Sequence, residues 1–334
     1  MIKKILFFTL SNFGDVILTL PVLDVLRQKY PEAKITVMVG PRPSEIFKNN
    51  PYINNLIIYD KYAPLREKIR LFFQLKKQNF DVVIDLRNTL YGALLPARFK
   101  TSPFLSVPRH IRHMKEQNLY RLKKALSYKE PIGQIKTKSL FISQEDENYV
   151  NSLFQKNKIS SADKIIIVSP AAGGKTRRWD KEKFIQLCRS LSNKYIVILI
   201  GRKEDKELTQ NIYHGCISSA GENIFGGRGK IFDFAGLTNL VQLAFLLKQS
   251  SLVVVCDTGV LQLAGYLNIP IVGLFGPSDE QRYGPWSSKF KVVAARIGCR
   301  PCKSPECKFD TVECMRKIEV SEILDTIDAL LKSC

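Results

Sequence analysis

The sequence predicts an α/β protein of two Rossmann-like domains facing each other across a cleft. Three observations carry this. Its 334 residues exceed one ordinary core and fit two. Short apolar runs alternate with amphipathic stretches, the pattern of strand–helix–strand units around a parallel sheet. The pattern then restarts after the polar stretch 155–163.

In the first half, residues 3–8 read as a buried strand and 15–30 as a helix. Strands follow at 35–39, 56–59 and 81–85, with a basic amphipathic helix near 65–77. Residues 98–138 read as irregular and strongly basic, and 145–156 as a helix leading out of the domain. In the second half the strands are 164–169, 195–200, 252–256 and 271–275. The helices are 181–192, 239–249, 260–267 and the amphipathic 320–332. The expected domains are 1–158 and 159–334, the last helix being able to pack back on the first domain. In open α/β sheets ligands bind outside the carboxyl ends of the strands, so the loops leaving those strands are where chemistry is sought.

No apolar run approaches the ~20 residues of a membrane-spanning helix. Residues 5–10 are short for the apolar region of a secretory leader, and no small-residue cleavage site follows. They read as a strand, and the protein as cytoplasmic. The formal net charge of +20 is uneven: residues 61–124 hold 15 basic and 4 acidic side chains. Such a field attracts nucleic acid, an anionic membrane surface or a phosphorylated substrate.

Four loops hold candidate chemistry. Ser11-Asn12-Phe13-Gly14-Asp15 leaves the first strand; Gly14 permits a tight turn, and Asp15 reads equally as a helix N-cap or as a base. The segment 169–179 combines small residues with Lys175, Thr176, Arg177 and Arg178, which suits a diphosphate. It lacks Walker spacing, and no Gly-x-Gly-x-x-Gly follows the first strand, which disfavours a dehydrogenase. Asp257-Thr258-Gly259 ends a strand and opens a helix, an anion site or simply good capping. Glu204, after strand 195–200, either binds ribose hydroxyls or is a solvated helix-start glutamate.

Of the eight cysteines, Cys188, Cys216, Cys256 and Cys334 are scattered, whereas Cys299, Cys302, Cys307 and Cys314 cluster. With no secretory leader, disulfides are not expected. The cluster's spacing suits structural zinc or an iron–sulfur cluster; four reduced thiols in a Pro/Lys-rich loop are the plainer alternative. His110, His113 and His214 form no ligand set or triad.

In order along the chain, these segments resemble glycosyltransferase family 9, whose best-known members are the ADP-heptose:lipopolysaccharide heptosyltransferases. The resemblance rests on Gly-Asp-Val-Ile-Leu-Thr-Leu-Pro from Gly14 and Tyr-Pro-Glu-Ala-Lys-Ile-Thr-Val from Tyr30. It rests also on Ile-Phe-Asp-Phe-Ala-Gly-Leu-Thr from Ile231, Cys-Asp-Thr-Gly from Cys256 and Gly-Leu-Phe-Gly-Pro-Ser from Gly273. The basic loop before Trp179 fits too, with Asp180 where proline is common in the family.

The resemblance implies a GT-B fold and an inverting, metal-independent glycosyl transfer. It maps the catalytic base onto Asp15, beside Gly14 at the acceptor turn. It maps donor binding onto Lys175, Thr176, Arg177, Glu204, Asp257, Thr258 and Gly259. Where the family usually has a histidine three residues further on, this chain has Gln262, which can hydrogen-bond but cannot become cationic. The implied partners are a nucleotide-sugar donor, ADP-heptose foremost, and an anionic lipid-linked saccharide acceptor such as a lipopolysaccharide core. Peripheral contact with the inner face of the inner membrane is implied as well, with no nucleic acid and no cofactor required for catalysis. Two alternatives remain open at this point: a sugar-nucleotide 2-epimerase of the same architecture, and a nucleic-acid-binding protein without turnover.

Overall fold

The computed structural model describes residues 1–128, 135, 139–218 and 230–332. The chain divides into two compact units, Met1–Phe141 and Ile142–Cys334. The first carries β1 (Lys4–Phe8), β2 (Lys34–Val39), β3 (Asn55–Ile58), β4 (Val82–Asp85) and β5 (Phe99–Lys100), in the order β3-β2-β1-β4-β5. The second carries β6 (Ile165–Ser169), β7 (Ile196–Leu199), β8 (Ile231–Asp233), β9 (Leu252–Cys256), β10 (Ile271–Leu274) and β11 (Phe290–Val293), in the order β11-β10-β9-β6-β7-β8. Every pairing is parallel.

The central strands are apolar almost without interruption because helices cover both faces of a parallel sheet. Ile5 to Phe8, Ile165 to Val168 and Leu252 to Cys256 are all buried. In each sheet the strand order reverses once, between β1 and β4 in the first and between β6 and β9 in the second. Loops leaving strands on either side of such a reversal diverge and open a crevice at the carboxyl edge.

The expected division at 158/159 differs from the one found, between Phe141 and Ile142. The cause is the helix Gln144–Lys156. It starts with a reciprocal capping box between Ser143 and Asp146 and packs on the helix Leu240–Lys248 of the second unit. Tyr149 Oη also donates to Leu237 O at 2.7 Å. The C-terminal helix Val320–Lys332 places Ile323, Ile327 and Leu330 in the second unit's own core, against the helix Lys181–Ser192.

The helix expected at 15–30 is two, Phe13–Ile17 and Leu20–Lys29. Pro21 has no N–H to continue the first helix but suits the first turn of the second. Thr19 fixes the break, its Oγ1 donating to Val16 O at 2.6 Å. Within 98–138, Met114–Ala125 is a helix where the sequence reads as irregular, and Asn118 Nδ2 donates to Leu18 O at 3.1 Å; residues 129–134 and 136–138 lie outside the described residues. Cys334 lies outside the described residues. Among those residues no helix is long and apolar enough to cross a membrane.

Candidate active site

In the first unit the crevice lies at the carboxyl ends of β1 and β4. The β1 loop runs directly into the helix Phe13–Ile17, with Asn12 at the N-cap position and Gly14 and Asp15 in the first turn. Asp15 is therefore not the N-cap. Its carboxylate accepts from Asn12 Nδ2 at 3.0 Å and stays partly open to solvent.

The β4 loop brings a residue that the sequence did not single out. Arg87 donates through Nη1 to Ser11 Oγ, and its guanidinium lies 5.2 Å from the Tyr59 ring centroid. Among the described residues Arg87 faces no carboxylate at ion-pair distance. Its loop is shaped by Asp85, at the end of β4, which accepts from Arg87 N at 2.9 Å, Thr89 N at 2.8 Å and Thr89 Oγ1 at 2.6 Å. Burial pushes the Asp85 carboxyl above the ordinary range, and these hydrogen bonds oppose that shift. The ends of β1 and β2 approach so closely that a side chain at Gly40 would sit 2.6 Å from Ser11 Oγ. Ser11 is thereby fixed under Arg87.

In the second unit the crevice lies at the carboxyl ends of β6 and β9. The loop after β6 carries Lys175 and Arg177, both exposed, and the loop after β9 carries Asp257, Thr258 and Gly259. The two meet: Arg177 Nη1 is 3.4 Å from Asp257 Oδ2. Thr258 is the N-cap of the helix Gly259–Tyr266, but its side chain makes no cap bond; its hydroxyl is buried and has no hydrogen-bond partner among the described residues. The first N–H groups of that helix have no intrahelical acceptor, which leaves them for an anion. Trp179 anchors the far end of the β6 loop, donating from Nε1 to Ile318 O at 3.1 Å, and Asp180 caps the next helix.

The other residues expected at the donor site are placed differently. Glu204 is exposed in the short turn after β7, while its neighbour Asp205 is buried and holds Arg202. Thr176 is buried and reaches Pro305 O at 3.4 Å. Gln262 is buried with both ends of its amide engaged: Nε2 donates to Tyr283 O at 2.6 Å and Oε1 accepts from Trp286 Nε1 at 3.0 Å. Its observed partners are internal, and they tie the helix after β9 to the loop after β10.

The four clustered cysteines line one cavity of about 400 Å³, together with Thr176, Pro277 and Arg300. Arg300 fastens this loop to the end of β10, donating from Nε to Gly276 O at 2.6 Å and from Nη2 to Glu280 Oε2 at 3.2 Å. A Cβ at Gly276 would lie 2.5 Å from Met315 Sδ, so a side chain there would displace Met315. Backbone N–H groups of Phe309 and Val312 lower the Cys307 thiol below its ordinary range. Burial, and then the neighbouring thiols, raise that of Cys314. Among the described residues no three His, Cys, Asp or Glu side chains stand close enough to close round a metal ion.

Residues 68–313 match the model of glycosyltransferase family 9, described as heptosyltransferase. The chain belongs to glycosyltransferase family 9. As a glycosyltransferase it is 27% identical, over 305 residues, to lipopolysaccharide heptosyltransferase 3 of Escherichia coli K12, covering 82% of this chain and 83% of that one. Among solved structures, the E. coli ADP-heptose heptosyltransferase II aligns with a TM-score of 0.75 at 21% identity, over 99% of both chains. A family 9 protein from Veillonella parvula aligns at 0.78 and 20% identity, over 99% of this chain and 98% of that one. TibC, an iron-containing dodecameric glycosyltransferase from enterotoxigenic E. coli, aligns at 0.58 and 15% identity, over 99% of this chain and 77% of that one. Both halves of the expected GT-B architecture are thus present as parallel α/β units. Family membership favours glycosyl transfer over the epimerase and nucleic-acid-binding alternatives.

Proposed function

We propose that this glycosyltransferase moves heptose from ADP-heptose to a lipopolysaccharide core or a similar anionic lipid-linked acceptor, with inversion at the anomeric carbon. One observation supports the main residue roles: Asp15 in one unit, and Lys175, Arg177 and Asp257 to Gly259 in the other, follow the strands between which the strand order reverses, at the carboxyl edge of the sheet. The acceptor hydroxyl oxygen attacks the anomeric carbon and its proton passes to the Asp15 carboxylate. The bond from that carbon to the phosphate oxygen breaks, and ADP leaves with the electron pair. Lys175, Arg177 and the N–H groups at Thr258 and Gly259 offset the charge that grows on the leaving diphosphate. Asp257 aims Arg177, Thr176 props the loop, Glu204 is available to ribose hydroxyls, and Gln262 supports the site from behind. The substrates follow from the relatives' names, lipopolysaccharide heptosyltransferase among them. The test is transfer from ADP-heptose, against other nucleotide sugars, to truncated lipopolysaccharide. Product formed equally from UDP-hexoses would move the donor assignment.

The enzyme works at the inner face of the inner membrane, where its lipid-linked acceptor is anchored and where the basic stretch 61–124 meets anionic lipid. The cysteine loop takes zinc or iron as a structural ion. Four thiols on one cavity are the right donor chemistry, and the N–H groups around Cys307 favour its thiolate. Cys299 and Cys302, both exposed, would move in to complete the set. The iron of TibC is consistent with this. Because the loop also touches Thr176, the ion would stiffen the donor loop. Protein purified without added metal is expected to hold close to one equivalent of zinc or the iron of one cluster, and a chelator to lower Tm. Metal-free protein with four titratable thiols and an unchanged Tm would refute the ion.

A further inference from the structure

The helix Leu65–Lys77 has two apolar faces, and the fold uses only one. Leu75 is buried, and Leu71 and Phe72 pack on the core cluster of Leu6, Phe8 and Val83. Leu65, Ile69 and Phe73 are 72%, 48% and 54% exposed. Steps of four place these three on one stripe of a helix. Arg66 and Arg70 follow Leu65 and Ile69 by one residue and Lys77 turns to the same side, so these three flank the stripe away from the core; Lys76, in the last turn, falls within the stripe's arc. The neighbouring helix Leu90–Leu94 exposes Leu90 and Leu94 and is fixed to the first: Tyr91 Oη donates to Lys68 O at 2.9 Å, and the Phe72 and Tyr91 rings lie 6.4 Å apart. Exposed large apolar side chains in such number, flanked by cations, are unusual on a water-facing surface.

From this we infer that the helices Leu65–Lys77 and Leu90–Leu94 form an interfacial membrane anchor. Leu65, Ile69 and Phe73 enter the headgroup and acyl boundary while Arg66, Arg70 and Lys77 remain with anionic headgroups. Charge chooses the occupant. A protein groove for an apolar stripe needs acidic rims, whereas an anionic bilayer supplies apolar depth and negative charge together. The inference rests on the reading that the basic stretch 61–124 meets the membrane, and it deepens that reading from attraction to insertion.

Full-length protein is mixed with vesicles of phosphatidylcholine alone or with phosphatidylglycerol, at low and high salt. The wild type is expected to prefer the anionic vesicles and to retain part of its binding at high salt. The triple variant Leu65→Gln, Ile69→Gln, Phe73→Gln should bind on the order of 100-fold more weakly with an unchanged Tm, since these side chains are exposed. In Phe73→Trp the new indole should shift to the blue and be quenched by brominated lipid, over the wild-type signal of Trp179 and Trp286, which both belong to the other unit. A triple variant that binds like wild type, with full salt sensitivity, would overturn insertion and leave electrostatic docking standing. Absence of wild-type binding to any vesicle would overturn both. Self-association lost in the triple variant, without quenching in Phe73→Trp, would assign the stripe to a second copy of the chain and overturn the inference.

Discussion

At the strand-order reversal of the first sheet, the ionisable side chains stand on neutral partners: Asp15 on the Asn12 amide, Arg87 on the Ser11 hydroxyl and the Tyr59 ring, and Asp85 on backbone N–H groups and the Thr89 hydroxyl. At the reversal of the second sheet, charge meets charge. Arg177 lies against Asp257, and Arg300 and Lys303 nearby lie against Glu280 and Asp279. A charge held by a neutral dipole presents its full field to an incoming molecule. A charge held by its opposite is aimed but partly neutralised. On the proposed mechanism, the first edge acts on the acceptor through single groups, and the second holds the donor diphosphate through loops whose shape ion pairs maintain.

The sharpest way to break this comparison is Asp15→Asn. Asn12, not Asp15, occupies the N-cap, so folding should hardly change. Transfer should fall roughly 10²–10⁴-fold, the usual worth of a positioned base. Donor affinity should survive, because the proposed donor residues belong to the other unit. A folded Asp15→Asn enzyme with wild-type turnover would leave the first edge without its base.

How far the sequence alone could see this differs between the two edges. The strands β1, β6 and β9 were legible because burial on both faces makes them unbroken apolar runs. The strands β5, β8 and β11 are only two to four residues long and sit at or near sheet edges, partly exposed, so no pattern marks them. The positions of Asp15, Arg177 and Asp257 at the carboxyl edges of the sheets were legible because each follows shortly after a recognisable strand. Arg87 was missed although it lies two residues past β4. What makes it important is that β4 pairs with β1, and strand order is not written in local pattern. The signal that would have found it is the strand-ending Asp85 followed by a cation, read with the same attention as Gly14-Asp15. Gln262 was carried to the donor site only as the residue standing where the family usually has a histidine; in the structure it is buried with both amide ends engaged.

On the second edge, Arg177→Ala should weaken donor binding by about 1.5–3 kcal/mol, the worth of a charge-assisted phosphate contact, measured as Kd for ADP. Unchanged affinity would move the diphosphate away from the β6 loop. Gln262→Ala tests the support behind that edge. It strands the Tyr283 carbonyl and the Trp286 N–H, and a buried unsatisfied polar group costs about 1–3 kcal/mol. A lower Tm with a near-normal ADP Kd in the folded fraction is expected. The reverse, a normal Tm with lost ADP binding, would make Gln262 a direct ligand contact.

The smallest expected effect bears most directly on the comparison. Asp257→Asn keeps an oxygen within reach of Arg177 but removes the charge, so it converts the second edge into the arrangement of the first. Arg177 is 45% exposed and the pair is 3.4 Å apart, so screening limits what the mutation can cost in stability to about 0.2–1 kcal/mol. Two effects on ADP binding then oppose each other: Arg177 regains its full charge, which strengthens a phosphate contact, and it loses part of its aim, which weakens one. If aim is what the pair provides, Asp257→Asn should bind ADP slightly less well than wild type, by well under the loss in Arg177→Ala, and with a steeper dependence on ionic strength. Tighter ADP binding in Asp257→Asn would show that the pair attenuates the site rather than shaping it, and the contrast drawn between the two edges would fall.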